Sequence, residues 1–154
     1  MEAQKTIAEE QLPLIQNEQL VIVTENNQKK ILLTELQIDE WCEKIDHYLT
    51  TMKPHWDPKF DSATISKELH FNRTYLSIVI STKKHLRFEN YINKLRTADL
   101  QALIMSELIN NRPKYTLEYY AHKVGFHSRS SFNKAFKLNT GLTPTQFLSQ
   151  IIYP

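Results

Sequence analysis

Residues 116–137 read TLEYYAHKVGFHSRSSFNKAFK, and their glycine, aromatic and basic residues form the most informative pattern in the chain. Gly125 separates two helical segments, and glycine tolerates the left-handed backbone of a tight turn. Phe132 and Phe136 are four residues apart, so they share one helical face and leave a polar, basic face outside. The pattern predicts two helices joined by a turn, an arrangement with which many proteins enter the DNA major groove.

A weaker copy of this pattern lies about 56 residues earlier, with Leu76 in the place of Phe132. There Asn72 is predicted to begin a helix, and a shorter helix precedes it. A series of apolar residues predicts a connecting helix over about residues 88–109, and a short closing helix is predicted over 145–152. The chain has only 2 glycines and few alternating runs. We therefore predict an all-α fold, in which a linker helix joins two helix-turn-helix subdomains.

The chain is predicted to contain three parts, which cover residues 1–33, 34–60 and 61–154. The first is an N-terminal arm, and its apolar runs fit either a short β-hairpin with an Asn-rich turn or a partly disordered segment. The second part begins with a capping-box pattern formed by Thr34 and Gln37 and contains a helix over about 35–52. A linker with two prolines follows, since proline interrupts a helix. The third part holds both helix-turn-helix subdomains.

The helix predicted over 35–52 carries an apolar stripe that includes Trp41. That stripe could belong to the core or dock onto the next domain, and it could also contact a second copy of the chain in a homodimer. The single cysteine, Cys42, lies in this helix and cannot form an internal disulfide. We expect it to be a partly buried, small apolar residue.

The charge is divided unevenly along the chain. Residues 1–61 hold six Lys and Arg against twelve Asp and Glu, whereas residues 62–154 hold thirteen against five. A basic half has the sign expected of a surface that meets phosphates. No metal-ligand spacing, phosphate-binding glycine loop or nucleophile elbow is present, so we expect no enzyme activity, cofactor or metal. No membrane span or signal peptide is visible, and the expected location is the cytosol.

The two helix-turn-helix subdomains and the linker helix together resemble the DNA-binding domain of AraC/XylS-type transcription regulators over about residues 61–148. The resemblance is most specific in the second subdomain. At the family's spacing in this subdomain stand Ala121, Gly125, Phe126, Ser128, Phe132, Phe136, Lys137, Gly141, Thr143 and Pro144. In the first subdomain and the linker helix the family pattern is met by Leu69, Leu76, Tyr91, Leu95 and Arg96. The resemblance implies sequence-specific binding to double-stranded DNA, with RNA polymerase as a candidate protein partner.

DNA contacts are predicted on both second helices. The residues expected to point outward from the second subdomain are Ser128, Arg129, Ser130, Asn133, Lys134 and Lys137. Arg and Asn can bond base edges, whereas Lys and Ser more often hold phosphates. In the first subdomain the resemblance places Arg73, Thr74, Ser77 and Ile78 at base-facing positions, and Lys83 and Lys84 suit backbone phosphates. A merely solvated face is the alternative for each of these helices.

The linker helix predicts the spacing of the two DNA-reading helices. About 17 residues at about 1.5 Å each span roughly 26 Å, and the width of the flanking units brings the separation near one DNA turn, about 34 Å. In this helix Arg96 is expected to be structural or to contact a phosphate. Three residues depart from the family pattern: His70 and His85 replace glycine, and Ile80 replaces phenylalanine. The alternatives left open are a protein-interaction module without DNA binding and the output domain of a larger sensor.

Overall fold

The computed structural model describes residues 20–25, 29–110 and 115–152, and these ranges form a helical fold preceded by one β-hairpin. The elements are β1 (Leu20–Glu25), β2 (Lys29–Thr34), α1 (Glu35–Met52), α2 (Ser62–Glu68), α3 (Arg73–Lys84), α4 (Phe88–Asn110), α5 (Leu117–Lys123), α6 (Arg129–Thr140) and α7 (Pro144–Ile152). The predicted all-α class with two helix-turn-helix pairs, here α2–α3 and α5–α6, is confirmed.

The two strands of the hairpin are antiparallel, with Leu20 opposite Thr34 and Glu25 opposite Lys29. The arm over residues 1–19 and the predicted Asn-rich turn at 26–28 lie outside the described residues. Thr34 ends β2 and caps α1 in the predicted capping box with Gln37. Each of the two residues accepts a hydrogen bond from the backbone N–H of the other, at 3.1 and 3.0 Å. Strand β2 therefore passes directly into α1.

Helix α1 packs its apolar stripe against the first helix pair. Ile38, Ile45 and Leu49 are buried, and the rings of Trp41 and Phe71 lie 5.2 Å apart. The core interpretation of the stripe is therefore confirmed. Because the chain itself covers these residues, the apolar stripe is not evidence for a dimer contact through helix 35–52.

Helix α4 connects two hydrophobic cores. Its first half contributes Tyr91 and Ile92 to the core shared by α1, α2 and α3. Its second half contributes Leu100 and Ile104 to the core around α5 and α6. One continuous helix is thus part of both cores, and its rigidity limits how the two pairs move relative to each other.

Residues 53–57, which we call the strap, lie between α1 and α2 and form a buried contact rather than a loose linker. A 3-10 turn over Pro54–Trp56 starts the strap after α1 ends. The Asp99 carboxylate on α4 accepts hydrogen bonds from the Trp56 indole at 2.7 Å and the Lys53 ammonium at 2.9 Å. It also lies 2.8 Å from the Nε2 atom of His55, whose side chain is almost fully buried. One carboxylate therefore anchors three of the four strap side chains from Lys53 to Trp56.

The strap also contacts the turn of the second helix pair. Arg96 on α4 donates from Nε to the His55 carbonyl at 2.7 Å and from Nη2 to the Asp57 carbonyl at 3.1 Å. A β-carbon built on Gly125 would lie 2.3 Å from the same His55 carbonyl oxygen. Glycine is therefore needed at this position for close backbone approach as well as for its φ of 98°.

The first helix pair uses the same turn geometry without glycine. His70 and His85 have φ values of 56° and 55°, in the left-handed region that Gly125 and Gly141 exploit in the second pair. The two turns also share a backbone bond: Phe71 donates to the Ser66 carbonyl at 2.9 Å, as Phe126 does to that of Ala121. The departures from glycine noted in the sequence therefore leave the fold intact at the expense of backbone strain.

Candidate nucleic-acid interface

Helix α6 has one buried aromatic face and one exposed polar face. Ser128 caps its start by accepting from the Ser131 N–H at 3.1 Å, and Ser131 completes a capping box. Phe132 and Phe136 are buried, with ring centroids 5.7 Å apart. Five predicted contact residues are exposed as expected: Arg129, Ser130, Asn133, Lys134 and Lys137. Ser128 is exposed as well, although its hydroxyl is used in the cap.

Among the described residues, Arg129 has one carboxylate neighbour within 4 Å. Its Nε atom lies 3.4 Å from a carboxylate oxygen of Glu118 on α5, and the two side chains are 76% and 45% exposed. An ion pair this exposed contributes about 0–1 kcal/mol. The guanidinium therefore remains available to a stronger partner such as a phosphate or a guanine edge.

Helix α3 presents a smaller polar surface than predicted. Arg73 and Ser77 are exposed and Thr74 is half-buried, whereas Ile78 is buried at 5% exposure. The prediction that Ile78 faces a base is wrong. The isoleucine joins Leu76 in the hydrophobic core to which α1 contributes Ile38, Ile45 and Leu49.

Lys83 and Lys84 at the end of α3 are paired with acidic residues of α1. Lys83 forms a salt bridge with Asp39, and the Lys84 ammonium lies 2.5 Å from the Asp46 carboxylate. The hydrogen bond that Lys83 donates to Asp39 raises the pKa of Lys83. Burial alone would lower the pKa of Lys84, but the bond and the charge of Asp46 outweigh it and raise that pKa. Both lysines stay charged and are engaged inside the chain.

A cleft of 790 Å³ separates the two helix pairs, and we call it the interunit cleft. Arg73 and Ser77 of α3 line one side, and His127 and Ser131 at the start of α6 line the other. Its remaining lining residues are Phe60, Asp61, Ser62, Arg87, Phe88, Glu89, Ile92, Asn93 and Arg96. Arg87 and His127 were not predicted as contacts. No local sequence pattern distinguishes these two residues, because the cleft forms only where α3 and α6 come together.

A family model described as a helix-turn-helix domain matches residues 65–150. These residues include most of α2 and all of α3, α5 and α6, the two helix pairs described above. The chain belongs to this helix-turn-helix family, of the AraC type. The family is one of DNA-binding transcription regulators and is generally non-enzymatic.

One relative of this AraC-type chain is the Msm operon regulatory protein of Streptococcus mutans, which is 30% identical over 87 residues. The match covers 56% of this chain and 29% of that protein. The chain therefore corresponds to less than a third of the relative's length.

Solved structures show the same fold at low sequence identity. The C-terminal domain of AraT, a response regulator from Geobacillus stearothermophilus, gives a TM-score of 0.56 at 19% identity and covers 73% of this chain and 84% of its own. The C-terminal domain of the two-component response regulator yesN from Fusobacterium nucleatum gives 0.51 at 22% identity, covering 71% and 95%. A Listeria innocua protein gives 0.57 at 22% identity, covering 68% and 91%.

The described part of the chain lacks two features. Within it, no three His, Cys, Asp or Glu side chains are grouped closely enough to hold a metal ion. None of its helices combines the length and the apolar character needed to cross a membrane.

Proposed function

We propose that this chain recognises duplex DNA by sequence, with α6 in one major-groove segment and the start of α3 in the next. The observation that carries the proposal is the two-sided character of α6. Phe132 and Phe136 fix one face in the core, while Arg129 and Asn133 are exposed on the other. Arginine and asparagine can each form two hydrogen bonds to a guanine or adenine edge.

The remaining exposed residues of α6 suit the DNA backbone. Ser130, Lys134 and Lys137 extend the polar face, and such side chains bond phosphates more often than bases. We assign Ser128 the role of fixing the start of α6 through its cap. The second helix pair therefore carries more side chains suited to DNA contact than the first pair does.

Helix α3 contributes fewer groups to the proposed surface. Arg73 and Ser77 are exposed and Thr74 is half-buried. Because Ile78 is buried and the lysines at the end of α3 are paired with α1, these three residues are left out of the proposal. We expect α3 to add affinity and less base discrimination than α6.

The length of α4 supports binding to two successive groove segments. A stretch of about 17 residues from Phe88 to Ile104, which reaches the cores of both helix pairs, spans about 26 Å, and the width of the flanking units brings the separation near one turn of B-DNA, about 34 Å. Each helix pair is fixed to a different half of this helix. RNA polymerase as a protein partner and homodimerisation stay predictions beside this proposal.

The proposal is tested by selecting bound duplexes from a random pool and then measuring affinity for the selected site. We expect a bipartite site and an affinity that decreases steeply as salt rises. Arg129→Ala should weaken binding by about 1–3 kcal/mol and relax the preference at one base pair. Lys44→Ala removes an exposed charge from α1 and is the matched control.

Two outcomes contradict the proposal. Absence of duplex binding at low salt would leave a protein-interaction module as the better interpretation. An equal loss for Arg129→Ala on every sequence would make that residue a phosphate contact and remove the basis for α6 as the base reader.

A further inference from the structure

We propose that the interunit cleft is a phosphate-binding site located between the two recognition helices. The phosphate group that binds there belongs either to the DNA strand that connects the two groove segments or to a free phosphorylated small molecule. Binding of the DNA backbone in the cleft rests on the proposed function, because only a duplex bound to both α3 and α6 would carry a strand over the cleft. The free-phosphate source does not depend on it.

The rim of the cleft carries two guanidinium groups, of which Arg73 interacts electrostatically with Asp61. Arg73 at the start of α3 and Arg87 before α4 are both exposed. Among the described residues, neither has a carboxylate within salt-bridge distance, 4.0 Å. Arginine presents N–H donors in a planar fork that matches phosphate oxygens. The two side chains can therefore bind an anion without first breaking an internal ion pair.

The cleft also contains a buried cation. Arg96 is 8% exposed, and burial lowers its pKa. Of its five N–H donors, two bond the strap carbonyls of His55 and Asp57, and one makes a long contact of 3.4 Å with Asn93. The other two donors have no partner among the described residues. The charge of Asp57 offsets the burial of Arg96 only in part, since the pKa of Arg96 stays lowered, and a further anion close to this buried charge is favoured.

Two carboxylates reduce the positive charge of the cleft without removing it. Asp61 is occupied as the cap of α2, where one oxygen accepts from the backbone and the hydroxyl of Thr64, both at 2.8 Å. Glu89 is exposed in the first turn of α4. Three arginines against two carboxylates leave the lining of the cleft with a net positive charge. Arg73 places part of that charge on the α3 side.

The position of the cleft matches its chemistry. Ser77 lies on the side of α3 proposed to meet DNA, and Ser131 lies in the first turn of α6. A strand that leaves one major-groove segment and enters the next passes between these two helices. Aromatic and aliphatic residues of the cleft, such as Phe88 and Ile92, would lie beneath a sugar.

The test compares Arg87→Ala with Lys44→Ala in the intact chain, after circular dichroism shows that both fold. In the first arm, duplex affinity is measured against salt for a selected and an unrelated sequence. Loss of one phosphate contact weakens binding about eightfold near 0.1 M salt and reduces the magnitude of the salt slope by about 0.9. In the second arm, inorganic phosphate and a nucleoside monophosphate are added to each variant without DNA, and thermal stability is measured.

Each result assigns or removes the site. A uniform loss for Arg87→Ala on both sequences, with the control unchanged, identifies the DNA backbone as the source. Stabilisation of the natural chain but not of Arg87→Ala by phosphate, with duplex affinity unchanged, identifies a free phosphate. If Arg87→Ala matches the control in both arms, the inference is wrong. If the natural chain binds no duplex, the proposed function fails and the phosphate arm alone decides the site.

Discussion

Gly125→Ala should destabilise the chain strongly, because this glycine is the point at which the strap touches the second helix pair. An added β-carbon would lie 2.3 Å from the His55 carbonyl oxygen and 2.9 Å from the Trp56 carbonyl carbon. Ordinary van der Waals contact begins near 3.4 Å, so the strap has to move by about 1 Å. Both neighbours are backbone atoms, and no side-chain rotation relieves the overlap.

The size of the effect follows from two contributions. A residue with a β-carbon in the left-handed region costs about 1–2 kcal/mol relative to glycine. Displacing the His55 carbonyl weakens its charged hydrogen bond from Arg96, which contributes about 1.5–3 kcal/mol. Together they predict a loss of about 3–5 kcal/mol, a large part of a typical unfolding free energy of about 5–15 kcal/mol.

Gly141→Ala is the matched control for this substitution. Gly141 also has a positive φ, 76°, but no atom lies within 4 Å of its added β-carbon. It should therefore lose only the backbone contribution of about 1–2 kcal/mol. Urea unfolding followed by far-UV circular dichroism measures both. Equal losses in the two variants would show that the strap contact adds nothing, and the reasoning would be refuted.

Three further predictions concern single residues. His85→Gly relieves left-handed strain at an exposed turn and should raise the unfolding free energy by about 0.5–1 kcal/mol, after the entropy cost of glycine; a lower urea midpoint would contradict it. Ile78→Ala should lower the unfolding free energy by about 2–4 kcal/mol, as measured by urea titration. The salt dependence of DNA binding should stay unchanged, as measured by titration with duplex at several salt concentrations. A changed salt dependence with intact stability would return Ile78 to the DNA surface. Burial lowers the pKa of His55 in spite of the Asp99 hydrogen bond, so below about pH 6.5 the unfolded chain takes up a proton that the folded chain does not. Acidification from about pH 7.5 to 5.5 should therefore reduce the urea midpoint, and His55→Gln should flatten that dependence.

Local sequence patterns were sufficient to predict most of the fold. Helix α1 begins and ends as its capping box and the following proline predicted, and α4 ends within one residue of its expected end. The exposed face of α6 followed from the spacing of Phe132 and Phe136. These features depend on contacts within a few residues, which periodicity and capping rules describe.

The missed features depend on contacts between distant parts of the chain. Ile78 is buried in a core that several elements share, and the spacing within α3 does not reveal this burial. The prolines at 54 and 58 predicted a linker. No local pattern shows that the backbone of this linker packs against Gly125 and accepts a hydrogen bond from Arg96. Arg87 becomes a site candidate only when α3 and α6 are placed on either side of it.

The strap has a consequence for which DNA sites the chain prefers. Asp46 on α1 bonds Lys84 and the Tyr91 hydroxyl next to the first helix pair, and the residues that follow α1 reach the turn of the second. The angle between the two helix pairs is thus set partly by residues that lie in neither. In the proposed complex, a substitution in the strap would change the number of base pairs tolerated between the two half-sites, while the bases read within each half-site stay the same.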